Sequence, residues 1–172
     1  GGRVDVFEQA PELSEVGAGI SIGPNATQVL YEIGLRQSLD NVANYAGSGM
    51  IRHYKTGEKI IDVTRDRKSK QGAQHRFLQL HRADLVEALM EEVHRSPNCR
   101  LHLDHSLKSL RQTTDSVELR FANGATHKCD FAVGCDGLRS RVREILFQYD
   151  DASFTGQVAW RCLVPSETLP PT

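Results

Sequence analysis

The residues of this sequence with the clearest capacity for chemistry are Asp136 and Gly137. They follow the apolar run 131–133, which predicts a short buried strand. The segment after them is basic and contains Arg139, Arg141 and Arg143. Since a carboxylate can anchor a turn, glycine admits a close ligand and arginine pairs with phosphate, we infer a nucleotide-cofactor site at a strand end. A strand-turn-helix corner without a ligand is the alternative, and these residues alone leave both open.

Glu8 is a second candidate, at the end of a strand predicted over 3–7. At the end of the second strand of a dinucleotide fold, an acid accepts hydrogen bonds from ribose hydroxyls, because a carboxylate is a pair of acceptors. The expected G-x-G-x-x-G turn, which lies about 20 residues before such an acid, is absent from the seven residues before Glu8. Glu8 is therefore either an ordinary surface acid or the ribose ligand of a domain whose first strand, glycine loop and helix lie outside this chain.

A small-residue stretch, formed by Gly17, Ala18 and Gly19, leaves its backbone open to a close neighbour. That neighbour is either a ligand or a packed turn. The stretch is not a phosphate loop, because it has neither a third glycine at the required offset nor a Lys-Ser/Thr ending.

Arg82 lies in the first turn of a helix predicted to open at His81. A cation there opposes the positive end of the helix dipole, so it needs a carboxylate partner such as Asp84 or a bound anion. An ordinary surface arginine is the alternative.

Trp160 and Arg161 lie in the run 156–164, which predicts a strand that stops at Pro165. The two side chains would project to opposite faces of that strand. An arginine beside a large aromatic residue can clamp a carboxylate or a phenolate, or it can lie at a wet sheet edge.

The elements that must position these residues follow from periodicity. Apolar positions Ala26, Val29, Leu30 and Ile33 predict a core-facing amphipathic helix that ends at Gly34. Segments 50–54 and 59–63 predict a hairpin, and a second helix begins near residue 81. The basic run 65–70 is interpreted as a solvated loop. Four short segments predict an antiparallel meander: 101–103, 107–111, 117–121 and 126–128.

Composition indicates a soluble globular protein, since 39% of the 172 residues are hydrophobic and 25% are charged. A formal net charge of -1 argues against a nucleic-acid surface or a polybasic membrane anchor. No apolar run reaches the roughly 18 residues of a membrane span, and a signal-peptide pattern is missing from the first residues. We therefore expect no nucleic acid and no membrane as partners, and a cytoplasmic location.

Metal and disulfide chemistry are not favoured by the sequence. The four cysteines are scattered without a C-x-x-C pair, which argues against a zinc site or a disulfide framework. His102 and His105 flank Asp104, but no third ligand follows at a recognisable spacing.

Five motifs in order resemble those of the FAD-dependent aromatic monooxygenases of the salicylate hydroxylase type, a family that includes para-hydroxybenzoate hydroxylase-like flavoproteins. The motifs are Val6-Phe7-Glu8, Val16 to Ile20 with Gly23-Pro24-Asn25-Ala26, His81-Arg82-Ala83-Asp84-Leu85, Gly134-Cys135-Asp136-Gly137 with Ser140 and Arg143, and Ala159-Trp160-Arg161.

The resemblance implies a role for each candidate. Glu8 would bind the adenosine ribose of FAD, the segment with Gly17, Ala18 and Gly19 would lie along the flavin, and Arg82 would contact FAD. Asp136 and Gly137 would belong to a motif linked to both FAD and reduced nicotinamide. Arg161 would be a catalytic residue that holds the substrate phenolate, although Cys162 follows it where relatives often have glycine.

The reaction implied by the resemblance is hydroxylation of a small aromatic, phenolic substrate. NADH or NADPH would reduce FAD, which then reacts with oxygen, while the protein orients the ring and stabilises charge. An arginine near the phenol would favour the more nucleophilic phenolate.

The fold implied is α/β, an incomplete Rossmann-like FAD-binding domain with an inserted antiparallel β-meander. We expect residues 1–150 to form the partial FAD-binding domain, with a hairpin and loop excursion at 44–77 and the meander at 100–128, and residues 151–172 to begin a substrate-binding domain. Without the glycine loop, the chain is expected to bind FAD weakly or not at all and to lack hydroxylase activity. A missing central parallel strand would also expose apolar surface, which favours dimerisation or poor solubility. A noncatalytic cofactor-binding module or remnant is the alternative.

Overall fold

The computed structural model describes residues 2–13, 19–44, 48–64, 77–148, 152–160 and 165–168. These residues form a mixed α/β structure, in agreement with the predicted class. The strands are β1 (Val4–Phe7), β2 (Gly19–Ile22), β3 (Ser48–Arg52), β4 (Lys59–Thr64), β5 (Leu78–His81), β6 (Cys99–His102), β7 (Leu107–Gln112), β8 (Val117–Phe121) and β9 (Thr126–Cys129). The helices are α1 (Pro24–Glu32), α2 (Arg36–Val42), α3 (Arg82–Arg95), α4 (Arg141–Phe147) and a short 3-10 turn, Ser166–Thr168.

The chain divides into two compact units. The first unit contains the described residues of 2–13 and 96–160, and the second unit contains those of 19–95 together with 165–168. None of the helices in the described ranges combines the length and apolarity needed to cross a bilayer.

The first unit combines a parallel strand pair with an antiparallel sheet. Strand β1 pairs in parallel with β6, so that Phe7 lies opposite His102. Strands β7, β8 and β9 form the antiparallel sheet, in that order. Alternation in β8 buries Val117, Leu119 and Phe121, and Phe7 of β1 packs against this cluster. The packing of Phe7 thereby fixes the end of β1, directly before Glu8, against the antiparallel sheet.

The second unit has a core between a strand pair and three helices. Strand β2 pairs antiparallel with β5, and helices α1, α2 and α3 surround a buried cluster. The cluster consists of Ile22, Tyr31, Leu35, Leu39, Leu78, Leu80 and Ala88. Strands β3 and β4 form the predicted hairpin. Its turn contains Gly57, whose φ of +73° lies in the left-handed region that favours glycine.

Helix α1 differs from its prediction in the face that it buries. It ends as expected before Gly34, whose φ is +98°. Val29 and Ile33, predicted to face the core, are 56% and 51% exposed, whereas Thr27 and Tyr31 are buried. The core-facing assignment of the first pair was therefore wrong. The Tyr31 hydroxyl donates a hydrogen bond to Asp40 of α2, a polar contact that hydrophobic periodicity does not detect.

Three predicted strand segments also differ. Residues 101 and 102 belong to β6 and pair in parallel with β1, so the segment 101–103 is not part of the meander. Residues 131–133 lack regular secondary structure, and Phe131 and Val133 are 78% and 75% exposed instead of buried. Residues 156–160 are likewise not in a strand. Within the described ranges neither of these two segments has a ladder partner, and a strand is stable only when its backbone groups are paired.

Several predictions concern segments that lie outside the described residues. These are the small residues Gly17 and Ala18, the basic run 65–70 and the arginine Arg161.

Candidate functional site

Asp136 is the anchor of a turn at the start of α4. Its Oδ1 accepts a hydrogen bond from the Ser140 hydroxyl, and its Oδ2 accepts one from the Val142 backbone N–H at 3.0 Å. Ser140 is the N-cap of α4, and its Oγ accepts the Arg143 N–H at 3.1 Å. Oδ2 of Asp136 thus holds the backbone at the helix start, where N–H groups have no partner inside the helix, and Oδ1 holds the side chain of the N-cap residue.

The ionisation of Asp136 follows from these contacts. Partial burial disfavours the charged carboxylate, but the hydrogen bonds from Ser140 and the Val142 N–H outweigh it, so the pKa of Asp136 lies below its ordinary value. An ionised carboxylate at this place also interacts favourably with the amino end of the helix.

The loop 134–140, which leads into α4, depends on two glycines and on an arginine of that helix. Gly137 has φ of +75°, which side-chain-bearing residues rarely adopt. A Cβ on Gly134 would lie 2.8 Å from Cβ of Val142, so the glycine permits close approach of the loop to α4. The Arg143 guanidinium donates to the Leu138 carbonyl at 2.6 Å, which fixes the other side of the loop. The loop is therefore shaped mainly by its own contacts.

An open cleft of about 320 Å³ adjoins this loop. Its wall combines the polar groups of the turn with apolar side chains of α4. The lining residues are Gly134, Asp136, Gly137, Ser140, Val142, Arg143, Leu146 and Phe147. Such a wall places the polar groups of the turn beside an apolar surface, a combination suited to a ligand with both polar and ring-shaped parts.

Glu8 lies directly after β1, as predicted. Its Oε1 accepts the Ala10 N–H at 2.8 Å, and no hydrogen bond to Oε2 occurs within the described part of the chain. Its backbone N–H donates to the His102 carbonyl at 2.9 Å, and its carbonyl accepts the His105 N–H at 2.8 Å. Glu8 is thus held by its backbone on both sides, and among the described residues one of its carboxylate oxygens has no hydrogen-bond donor.

A polar cluster formed by Asp5 of β1 with Arg3, His102 and His127 was not identified from the sequence. Asp5 accepts a hydrogen bond from His102 Nε2 at 2.8 Å and from Arg3 Nε at 3.1 Å, and His127 Nε2 lies 3.8 Å from it. His102 had been considered only as a metal ligand. Within the described residues, no group of three or more His, Cys, Asp or Glu side chains is arranged to hold a metal ion. No local sequence pattern could have indicated this contact, since Asp5 and His102 are 97 positions apart and meet only in the folded structure.

Two other candidates are neighbours in the second unit. Gly19 lies in β2 opposite His81 of β5, and Arg82, the first residue of α3, follows His81 directly. The structure thereby brings Gly19 close to the start of the helix that holds Arg82. The exposed Arg82 lies in the first turn, as the sequence predicted, and Asp84 lies in the same turn.

The candidates thus fall into three places. Asp136 and Gly137 form one loop, Glu8 follows β1 in the same unit, and Gly19 and Arg82 lie together in the second unit. Among the described residues no hydrogen bond or ion pair joins Glu8 to Asp136.

Comparison with known proteins finds one matching family model and relatives that are monooxygenases. The family model described as "FAD binding domain" matches residues 1–160. The chain is 30% identical over 166 residues to 6-hydroxynicotinate 3-monooxygenase of Pseudomonas fluorescens, which covers 96% of this chain and 42% of that protein. It is 31% identical over 165 residues to 3-amino-4-hydroxybenzoate 2-monooxygenase of Streptomyces cremeus, covering 96% of this chain and 41% of that protein.

A solved structure resembles the chain as well. The structure of 2,6-dihydroxypyridine-3-hydroxylase from Arthrobacter nicotinovorans matches with a TM-score of 0.68 and 27% identity, over 86% of this chain and 34% of that one. The chain spans about two fifths of the length of the curated relatives it matches.

Proposed function

Since this chain belongs to the FAD binding domain family, we propose that it forms part of the cofactor site of an FAD-dependent monooxygenase that hydroxylates a small aromatic substrate. NADH or NADPH is the proposed reductant. The two named relatives are monooxygenases, and the names 6-hydroxynicotinate and 3-amino-4-hydroxybenzoate describe hydroxylated ring acids. A phenolic or similarly electron-rich ring is therefore the proposed substrate class.

The observation that supports this proposal best is the position of Glu8 and the hydrogen bonding of its backbone and carboxylate. It follows a strand of the parallel pair β1 and β6, and its backbone is fixed on both sides. Ligands of open α/β sheets bind beyond the carboxyl ends of the strands. Because Oε2 accepts no hydrogen bond from the described residues, it can accept one that a ribose hydroxyl donates.

The residues of the Asp136 loop have a different proposed role. Both oxygens of Asp136 already accept hydrogen bonds, so the carboxylate is proposed to hold the loop in shape. The cofactor would contact the exposed backbone of the loop near Gly137, where no side chain blocks approach. FAD supplies the redox chemistry when it is bound, and these residues bind and orient it.

Gly17, Ala18, Gly19 and Arg82 are proposed to contribute the remaining contacts with FAD. The adjacency of Gly19 to the start of α3 supports a common site for the last two. Arg161 is proposed as the substrate-binding arginine.

The fold proposal follows the same lines. We propose that the parallel pair β1 and β6 belongs to a Rossmann-like FAD-binding domain over residues 1–150, and that β7, β8 and β9 are a meander inserted in it. Residues 44–77 would form an excursion, and residues 151–172 would begin a substrate-binding domain.

Titration of the purified chain with FAD, followed by flavin fluorescence and by equilibrium dialysis, tests the proposal. The sequence contains no G-x-G-x-x-G loop, so we expect saturable binding that is weaker than micromolar. Glu8→Gln should weaken it about tenfold, since a hydrogen bond to a charged acceptor is worth about 1.5 to 3 kcal/mol.

Glu12→Gln is the matched control, because Glu12 is an exposed acid close by in the sequence. The proposal is overturned if both variants bind FAD as the unchanged chain does, or if Glu12→Gln weakens binding as much as Glu8→Gln does.

A further inference from the structure

Asp5 occupies an unusual place for an acid on a short strand. The alternation of β1 puts Asp5 and Phe7 on the same face, while Val4 and Val6 on the other face are exposed. The Asp5 side chain is only 9% exposed. A carboxylate is costly to bury unless charged or hydrogen-bonding groups compensate it.

The compensation comes from three directions. Oδ1 of Asp5 accepts from His102 of β6, and Oδ2 accepts from Arg3 and lies near His127 of β9. Because an ionised carboxylate only accepts, Nε2 of His102 carries the hydrogen of that contact. The His102 hydrogen bond lowers the pKa of Asp5, partial burial acts in the opposite direction, and the charge of Arg3 adds to the lowering.

The ring of His102 makes contacts in addition to the hydrogen bond of its Nε2 atom. It stacks on Phe7 with ring centroids 4.9 Å apart and planes 18° apart. Phe7 also contacts His127 at 5.0 Å and Phe121 at 4.6 Å. The orientation of His102 is therefore fixed by a hydrogen bond and a stacked ring from β1, and its ring also lies 5.6 Å from that of His105.

His102 also forms a backbone hydrogen bond with Glu8. Its carbonyl accepts the Glu8 N–H, and the carbonyl of Glu8 accepts the N–H of His105, three residues further along the same segment. His105 is itself tied down, because its Nδ1 donates to the Leu103 carbonyl at 2.6 Å. Any shift of His102 relative to β1 thus moves the backbone that holds Glu8.

We propose that Asp5 and His102 are a pair of positioning residues that fix Glu8 for hydrogen bonding to the ribose of the cofactor. The inference rests on the proposed function of Glu8 and extends it to residues that would not touch FAD. The pair acts by joining β1 to β6 at the point where β1 ends, so its effect on cofactor binding passes through Glu8.

Two substitutions at His102 separate the hydrogen bond from the ring contact. His102→Phe keeps a ring against Phe7 but cannot donate to Asp5, whereas His102→Gln keeps a donor and loses the ring. We expect His102→Phe to weaken FAD binding by about threefold or more, in the range of coupling between contacting residues. His102→Gln should bind FAD close to the unchanged chain.

A double-mutant cycle with Glu8→Gln distinguishes positioning from general destabilisation. If His102 acts through Glu8, His102→Phe should have no further effect on the FAD dissociation constant once Glu8 is replaced. Additive effects of the two substitutions, or equal losses in His102→Phe and His102→Gln, would overturn the proposal. All variants are compared at a temperature at which circular dichroism shows them folded.

Amide hydrogen exchange gives a readout that does not need FAD. In His102→Phe the amide hydrogens of Glu8 and His105 should exchange faster, while that of Leu119 in β8 should be unchanged. Unchanged exchange at Glu8 and His105 would overturn the positioning role. Should His102→Phe not fold, Asp5→Asn is used in the same cycle and exchange experiment with the same criteria.

The two proposals fail in different ways. If Glu8→Gln leaves FAD binding unchanged, the proposed function of Glu8 fails, and the exchange experiment still decides whether the pair positions it.

Discussion

Asp136 is a residue for which the sequence left two roles open, a turn anchor and a ligand contact. The Asp-Gly pair before a basic segment indicated a ligand site, and the structure has both carboxylate oxygens accepting hydrogen bonds from Ser140 and the Val142 N–H. The sequence predicted the turn and the helix after it. It could not predict the use of the carboxylate, because a turn anchor and a ligand contact require the same residue type.

The decrease of the free energy of unfolding at acidic pH should depend on Asp136. Its folded-state pKa is lowered, so its contribution is present above the unfolded value and is lost as pH falls through the folded pKa. We expect Asp136→Asn to reduce the free energy of unfolding by about 1 kcal/mol at pH 7, a value discounted for the exposure of the residue. The difference should shrink progressively below about pH 4, near the ordinary pKa of aspartate.

Urea unfolding at a series of pH values from neutral to acidic measures this difference. Asp115→Asn, in the exposed turn between β7 and β8, controls for the loss of a surface charge. A destabilisation by Asp136→Asn that stays constant down to the lowest pH would contradict the assignment.

Gly134 should be intolerant of a side chain for a steric reason. The added Cβ of Gly134→Ala would lie 2.8 Å from two atoms of Val142, neither of which is the flexible end of a long side chain. We expect a loss of about 1 to 3 kcal/mol in the free energy of unfolding, as for overpacking elsewhere. Gly2→Ala is the control, since its Cβ would meet nothing within 4 Å. Equal stability of the two variants in urea unfolding would show that the loop moves away freely.

At the scale of elements, the sequence predicted helices and hairpins better than their faces and partners. Proline at the start and Gly34 after the end defined α1 correctly. The buried face was wrong because Thr27 and Tyr31 are polar types that a hydrophobic pattern assigns to solvent, yet each has a hydrogen-bond partner, the Gly23 carbonyl and Asp40 respectively. A buried polar group needs such a partner, and the partner of Tyr31 lies on another helix, where a pattern within α1 cannot detect it.

Strand pairing was harder still to predict. The sequence at 101–103 has an apolar pattern suited to any sheet, and only tertiary structure determines that β6 pairs with β1 and not with the meander. The hairpin of β3 and β4 was predictable because its two strands are joined by a short turn with Gly57.

Helix α2 offers a test of which contacts stabilise the second unit. Leu39 is fully buried among α1, α2 and β5 residues, whereas Val42 on the same helix is 43% exposed. Leu39→Ala should lower the free energy of unfolding by about 2 to 5 kcal/mol because it removes buried methyl groups and leaves a cavity.

Val42→Ala serves as the matched control on the same helix, with an expected loss below about 1 kcal/mol. Thermal and urea unfolding, followed by circular dichroism, measure both. Similar losses in the two variants would mean that α2 is not packed as the structure has it.

At the scale of the whole molecule, the two units differ in how completely they enclose their apolar residues. Among the described residues of the second unit, three leucines are fully buried: Leu35, Leu39 and Leu78. In the first unit, the stretch between β9 and the end of α4 exposes several large apolar side chains: Phe131 (78%), Val133 (75%), Leu138 (73%) and Phe147 (70%). Composition predicted a globular protein, but it could not predict which apolar residues are left outside a core.

This exposed stretch should cause the chain to self-associate. Burial of exposed apolar side chains between copies is favourable by about 25 cal/mol per Å². We expect sedimentation velocity to show concentration-dependent association of the purified chain. Replacing both residues of the run before the Asp136 loop, Phe131→Ser with Val133→Ser, should shift the equilibrium towards monomer, because these two side chains are the most exposed of the stretch.

Val29→Ser is the control for that experiment, since Val29 is a 56% exposed apolar residue on α1 of the second unit. It should leave the association unchanged, because a single apolar side chain on a helix surface contributes little to self-association. If the unchanged chain is monomeric at all concentrations, or if the double variant associates as strongly as it does, the exposed stretch is not the source of attraction. A loss of association in Val29→Ser alone would instead assign the contact to the second unit.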